Sequence, residues 1–152
     1  MNILVDTNIL IRSSSPGDKD HATAVASCAV LKSQGHELCL APQNFYEYWS
    51  VATRPAAQNG LGLTPDRVLA NFAMFETDFS LLEDVPAVFD EWRSLVSTHK
   101  VMGKPAHDAR LVAAMLVHGV THILTFNDKD FRRYPQITVL TPADVVSSAG
   151  GP

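Results

Sequence analysis

Short apolar runs alternate along the chain with longer stretches in which apolar residues recur every three or four positions, the two patterns expected of buried strands and of helices. Asn2-Ile3-Leu4-Val5 stops at Asp6-Thr7-Asn8, which predicts a buried strand delivering polar residues at its carboxyl end. Asp18 to Gly35 then carries Ala22, Val25, Ala26, Ala29 and Val30 at helical spacing, with Gly35 as the stop. Glu37-Leu38-Cys39-Leu40 reads as a second strand. Pro42 opens a helix through about Thr53 with Phe45, Tyr48, Trp49 and Ala52 on one face and Glu47 beside that stripe. Arg54 to Leu63 holds Pro55, Gly60 and Gly62 and reads as a loop, a candidate mobile arm or clip.

Thr64-Pro65-Asp66 starts another helix through about Glu76, and Leu81-Leu82-Glu83-Asp84 reads as a short strand. Val85 to Thr98 places Val88, Phe89, Trp92, Leu95 and Val96 near a helical stripe. The next helix begins near Pro105, with Asp108 in its first turn and Ala109, Val112, Ala113 and Leu116 on one face; His122-Ile123-Leu124-Thr125 follows as a strand. Ile137-Thr138-Val139-Leu140 is the last strand, and 147–152 has the Gly, Ser and Pro content of a flexible tail. Strands alternating with helices predict an α/β fold with a mostly parallel sheet flanked by helices, in one domain over 1–146.

Composition narrows the classes. A chain of 152 residues with 46% hydrophobic and 18% charged residues suits one soluble globular domain. Apolar stretches such as Leu111 to Val117 are too short to span a bilayer, and the start lacks a basic, cleavable leader, so the cytoplasm is the expected compartment and no membrane the expected partner. Cys28 and Cys39 have no CxxC spacing and read as buried thiols. A formal net charge of −4 argues against a protein that coats nucleic acid by electrostatics alone, though a bound cation would reverse the sign of an acidic pocket.

Three acids stand at the end or edge of elements whose neighbours are apolar. Asp6 closes an apolar strand, where a lone carboxylate needs a donor, a cation or water; the lesser alternative is a cap on the turn that follows. Glu47 is also readable as the polar edge of an amphipathic helix, and Asp108 as a first-turn acid favoured by the helix dipole. Thr125-Phe126-Asn127-Asp128-Lys129-Asp130-Phe131 places more acids just beyond a strand end. In a parallel sheet these would share one edge, and their mutual repulsion would call for divalent cations; hard oxygen ligands suit Mg²⁺ or Mn²⁺.

These residues carry a resemblance. Ile3-Leu4-Val5-Asp6-Thr7-Asn8, Pro42-Gln43-Asn44-Phe45-Tyr46-Glu47, His107-Asp108-Ala109 and the Thr125 to Phe131 cluster, in that order from Met1 to about Asp144, make the chain similar to PIN domains, and within them to VapC-type toxins of toxin–antitoxin pairs. The resemblance implies a three-layer α/β/α sandwich. It also implies a Mg²⁺- or Mn²⁺-dependent endoribonuclease acting on RNA, usually as a homodimer, silenced by a cognate antitoxin.

By position the resemblance makes Asp6 and Asp108 metal ligands and Glu47 a third acid, as ligand or water-positioning base. The fourth acid departs from the commoner pattern: Asn127 stands where many relatives have Asp, leaving Asp128 and Asp130 as alternatives. Thr7 and Asn8 are expected to support Asp6 through hydroxyl and amide hydrogen bonds, and Asn127 to support the site with an amide that can donate or accept. Arg12 and Arg110 read first as solvated cations and second as phosphate contacts; Trp49 and Trp92 read as packing residues.

A phosphatase of the haloacid-dehalogenase type also starts with a strand ending in Asp, but it needs a second Asp two positions on, where Asn8 stands. His107-Asp108 is superficially similar to HD phosphohydrolases without their other ligands. A PIN module that binds RNA or protein without cutting is the non-enzymatic alternative, disfavoured because the acids are retained.

Overall fold

The computed structural model describes residues 1–150. Five strands, β1 (Asn2–Val5), β2 (Glu37–Leu40), β3 (Ser80–Leu81), β4 (His122–Leu124) and β5 (Thr138–Leu140), form one sheet in the order β3-β2-β1-β4-β5, every pair parallel. The chain leaves β1 toward β2 and β3 and later returns to β1's other side through β4. Leu4 is opposite Cys39 on one flank and Ile123 on the other. The carboxyl end of β1 is therefore the point where the winding reverses, the place where open parallel sheets leave a crevice.

Helices α1 (Thr7–Ser13), α2 (His21–Ser33), α3 (Pro42–Thr53), α4 (Pro65–Asp78) and α8 (Pro142–Ala149) cover one face of the sheet, and α5 (Pro86–Thr98), α6 (Pro105–Val117) and α7 (Asp128–Phe131) the other. The strand period of two divides the core accordingly. Leu4, Cys39 and Ile123 pack with Val88, Leu95, Val112 and Met115, whereas Ile3, Val5, Leu38, Leu40 and Leu124 pack with Ile9, Leu31, Tyr48 and Phe75. The expected three-layer α/β/α architecture is thus present, with a sheet that is parallel throughout.

Several boundaries differ from expectation. Helices α1, α7 and α8 were not anticipated, and α2 begins at His21 rather than Asp18. The strand expected over Leu81 to Asp84 is Ser80–Leu81, with Leu82 turning into the core. Residues 147–149, expected to fray, end α8, while 151–152 lie outside the described residues.

The stretch Arg54 to Leu63 is not an extended arm. Leu61 and Leu63 donate to the carbonyls of Val51 and Ala52, and Gly62 to that of Arg54, folding the loop back on the end of α3. Gly60 permits this: a Cβ there would lie 2.0 Å from the Arg54 carbonyl oxygen. No helix among the described residues is long and apolar enough to cross a membrane. Cys39 is buried and Cys28 half-buried, both unpaired, and burial pushes each thiol up to about 11.

Candidate active site

The hydrogen-bonded pairing of β1 with β4 continues past the strands, with the Asp6 N–H on the Leu124 carbonyl at 3.0 Å. Asp6 thereby enters the switch point with its side chain over the sheet edge and becomes the N-cap of α1. Its Oδ1 accepts from the Thr7 N–H at 2.7 Å; its Oδ2 accepts from the Thr125 hydroxyl at 2.7 Å and the Asn8 amide at 3.1 Å. The capping reading of this residue is borne out through Oδ1, while Oδ2 is held by the side chains of Thr125 and Asn8. Each carboxylate oxygen has two lone pairs, so Oδ1 keeps one for a further partner.

Thr125 is the hub on the β4 side. Fully buried, it donates to Asp6 and accepts from the Asn8 side chain at 3.1 Å and the Asn127 N–H at 2.9 Å. Asn8 also receives the Phe126 N–H on its Oδ1. Asn127 contributes through its main chain, with no side-chain capping bond to α7, contrary to the support expected of its amide.

Glu47 is brought in by α3. Its Oε2 accepts from the Thr7 hydroxyl at 2.8 Å and its Oε1 from the Gln43 amide at 2.7 Å, one helical turn away. The Thr7 hydroxyl, expected beside Asp6, therefore serves Glu47 instead. Gln43 also donates to the His107 carbonyl at 2.8 Å, tying α3 to the first turn of α6 beside Asp108. Asn44, fully buried, holds the start of α3 against β1: its Oδ1 accepts the Ala41 N–H at 2.8 Å, and its amide reaches the Val5 carbonyl and the Thr7 hydroxyl. Gln43, Asn44 and Thr125 were not assigned roles from sequence. The available signal was a polar side chain at a predicted buried position, which must find partners.

The charges converge. Asp6, only 7% exposed, has its pKa raised to about 7, chiefly because burial penalises the carboxylate; nearby Glu47 and Asp108 add repulsion, while Thr125 and the Thr7 N–H partly offset it. Asp108 is raised to about 6, first by burial, then by Asp130 and Glu47, with Arg133 opposing. Asp130 is thus within reach of Asp108's charge. Asp128 on the same short helix is engaged instead by Arg132.

Arg12 is held by Asp18 at 3.0 Å and Asp20 at 3.3 Å, over the Phe126 ring, and Arg110 by Asp84 at 2.9 Å. Neither is the freely solvated cation first expected. Trp92 packs on the core as expected; Trp49 packs on Phe72 with part of its ring in solvent.

Among the described residues no three acids, histidines or cysteines are close enough to form a ready-made metal cage. The donor set nevertheless fits a hard divalent ion: Mg²⁺ typically takes one or two carboxylates and keeps several waters. Asp6 and Asp108, both with raised pKa values and both repelled by Glu47, with Asp130 also acting on Asp108, make a concentration of negative charge that a cation would relieve.

The fold is shared with solved toxin–antitoxin proteins. VapBC2 from Rickettsia felis, bound to a promoter DNA fragment, superposes with a TM-score of 0.67 over 93% of this chain and 98% of the other, at 12% identity. VapBC-1 from nontypeable Haemophilus influenzae gives 0.69 over 94% and 99%, at 16% identity. VapC20 of Mycobacterium tuberculosis, described as a sarcin–ricin loop cleaving toxin, gives 0.61 over 80% and 86%, at 18% identity. No curated protein matches the chain by sequence. The PIN domain family model matches residues 3–137, over elements that carry all four acidic motifs, and the chain belongs to the PIN-domain family, whose members are nucleases.

Proposed function

We propose that this protein is a Mg²⁺- or Mn²⁺-dependent endoribonuclease, the toxic member of a toxin–antitoxin pair that acts in the cytoplasm as a homodimer. The observation that carries the reading is the buried Asp6 at the switch point, whose charge is opposed by Glu47 and Asp108. Such an arrangement costs the fold stability unless a ligand uses it, and perturbed carboxylates in a crevice are a signature of function. The toxin reading is supported by full-length similarity of fold to VapBC proteins, and the choice of RNA by the described activity of VapC20.

In this reading residues 1–146 are the nuclease unit. Asp6, Asp108 and Glu47 would hold the metal, with Asp130 in preference to Asp128 as the fourth acid, because the charge of Asp130 acts on Asp108 and Asp128 is paired with Arg132. The bound ion would supply an activated water for in-line displacement at phosphorus and charge for the departing 3′ oxygen, leaving a 5′ phosphate. The chain's own work is to hold the acids still and ionise them. Thr125, Asn8 and Thr7 fix Asp6, while Gln43 and Thr7 fix Glu47, and Asp6 and Asp108 would have to be ionised to hold a cation.

The test compares wild type and Asp6→Asn on a broad RNA pool, in Mg²⁺ and in EDTA, with the new ends mapped. Cleavage to 5′-phosphate ends by wild type in Mg²⁺ alone is expected. Wild-type rates from Asp6→Asn, or cutting that persists in EDTA, would sink the assignment.

A further inference from the structure

Helices α5 and α6 lie side by side and antiparallel, with His118 Nε2 at the end of α6 2.9 Å from the Glu83 carbonyl just before α5, and Trp92 of α5 bonded to Ala106 at the start of α6. Between them lies a cleft of about 330 Å³ lined by Val85, Val88, Phe89, Trp92 and Arg110. Phe89 is 58% exposed and stacks on Trp92, with ring centroids 5.9 Å apart and planes 30° apart. Trp92 is anchored by its indole N–H on the Ala106 carbonyl at 2.8 Å and by packing on the core. The Arg93 guanidinium lies 5.4 Å from the Phe89 centroid.

The cleft is wired to the acids. Arg110 is braced between Asp84 at 2.9 Å and the side-chain Oε1 of Gln43 at 3.4 Å, and the same Gln43 side chain holds Glu47. A largely exposed ring stacked on an anchored indole, with the solvent-facing Arg93 guanidinium over it and Arg110 in the cleft wall, matches a flat, electron-rich ring that would take Arg93's place on Phe89. The volume is at the small end of the roughly 300–1,000 Å³ typical of small-ligand pockets, too little for a peptide helix and enough for one base.

We propose that this cleft is a nucleobase subsite, in which one unpaired base of the RNA, close to the cleaved phosphodiester, stacks on the Phe89–Trp92 pair beside Arg110. The proposal rests on the nuclease reading of the acidic site. Stacking makes the enzyme select single-stranded segments, since a paired base has no free face to offer.

The test uses a single-stranded RNA oligonucleotide carrying 2-aminopurine, whose fluorescence falls when the base stacks, with the Asp6→Asn protein in metal-free buffer. Phe89→Ala in that background should weaken binding about 5- to 150-fold, the alanine-substitution range for one base on one aromatic ring, and abolish quenching. Phe89→Tyr should restore both, and Leu69→Ala, at an exposed position of α4, should change neither. In otherwise wild-type protein, Phe89→Ala should raise KM more than it lowers kcat.

Unchanged affinity and quenching in Phe89→Ala would overturn the subsite. So would a dimer that falls to monomers in sedimentation, since the face would then be an interface between copies. RNA cleavage without dependence on Phe89 refutes the subsite and spares the nuclease reading. Phe89-dependent quenching in a protein whose wild type cuts no RNA does the reverse.

Discussion

A carboxyl group that receives three hydrogen bonds would ordinarily titrate low; Asp6 titrates near 7 because burial and neighbouring acids outweigh those donors. The unfolded chain releases this proton near pH ~3.9. Between those values the folded protein holds a proton that the unfolded chain has lost, so Asp6's contribution is fully present below the lower value and is lost as pH rises toward 7. Asp108 acts with the same sign up to about 6, and Asp18, lowered first by the Asp20 N–H, with the opposite sign. In EDTA, the fall in Tm between pH 5 and 7.5 should therefore be steeper for wild type than for Asp6→Asn. Mn²⁺ should raise the wild-type Tm more at pH 7.5 than at pH 5. A steeper fall in the variant would contradict this electrostatic account. Thr125→Val removes the hydroxyl that serves Asp6, Asn8 and the Asn127 N–H together, leaving buried groups unsatisfied; urea unfolding should show a loss of about 1–3 kcal/mol.

At the scale of elements, the acids arrive on separate pieces of structure joined by side chains: β1 with α1 by Asp6, α3 by Glu47, α6 by Asp108 and α7 by Asp130. Asp130→Asn should lower RNA cleavage far more than Asp128→Asn, and equal rates for the two would remove Asp130 from the site. Gln43→Ala, which unhooks α3 from α6, should cost about 10- to 100-fold, as loss of a supporting partner commonly does. Strands β1 and β2 and helix α3 were legible to the residue because an apolar run or a Pro-opened stripe bounded them. Helix α1 was not: Ile9, Leu10 and Ile11 follow Asn8 too closely for a seven-residue helix to display a period, and its start depends on Asp6 as a cap. The carboxylates themselves were legible as chemistry-bearing types at element ends. Their partners were less so, because Thr125, Gln43 and Asn44 act through contacts that span the chain, with Asp6 and Thr125 separated by 119 positions. Only geometry separates Asp130 from Asp128, since both lie in one turn of α7.

For the whole molecule, a net charge of −4 and cationic side chains already engaged near the site leave few groups to meet RNA phosphates. Binding of single-stranded RNA by Asp6→Asn should therefore depend weakly on salt. With about three phosphate contacts or fewer, each contributing about −0.7, the slope of log affinity against log salt should be no steeper than about −2 in filter binding. A slope several times larger would place the affinity in a basic surface instead. The sheet order has a consequence in time as well as in space. Because the centre of the sheet joins the first strand to the fourth, the crevice cannot exist on a ribosome until β4 and α7 have emerged. At roughly 5–20 residues per second, synthesis from Asp6 to Asp130 occupies roughly 6–25 s. During that interval the nascent chain has its first acid but no site, and any product truncated before β4 should be inert.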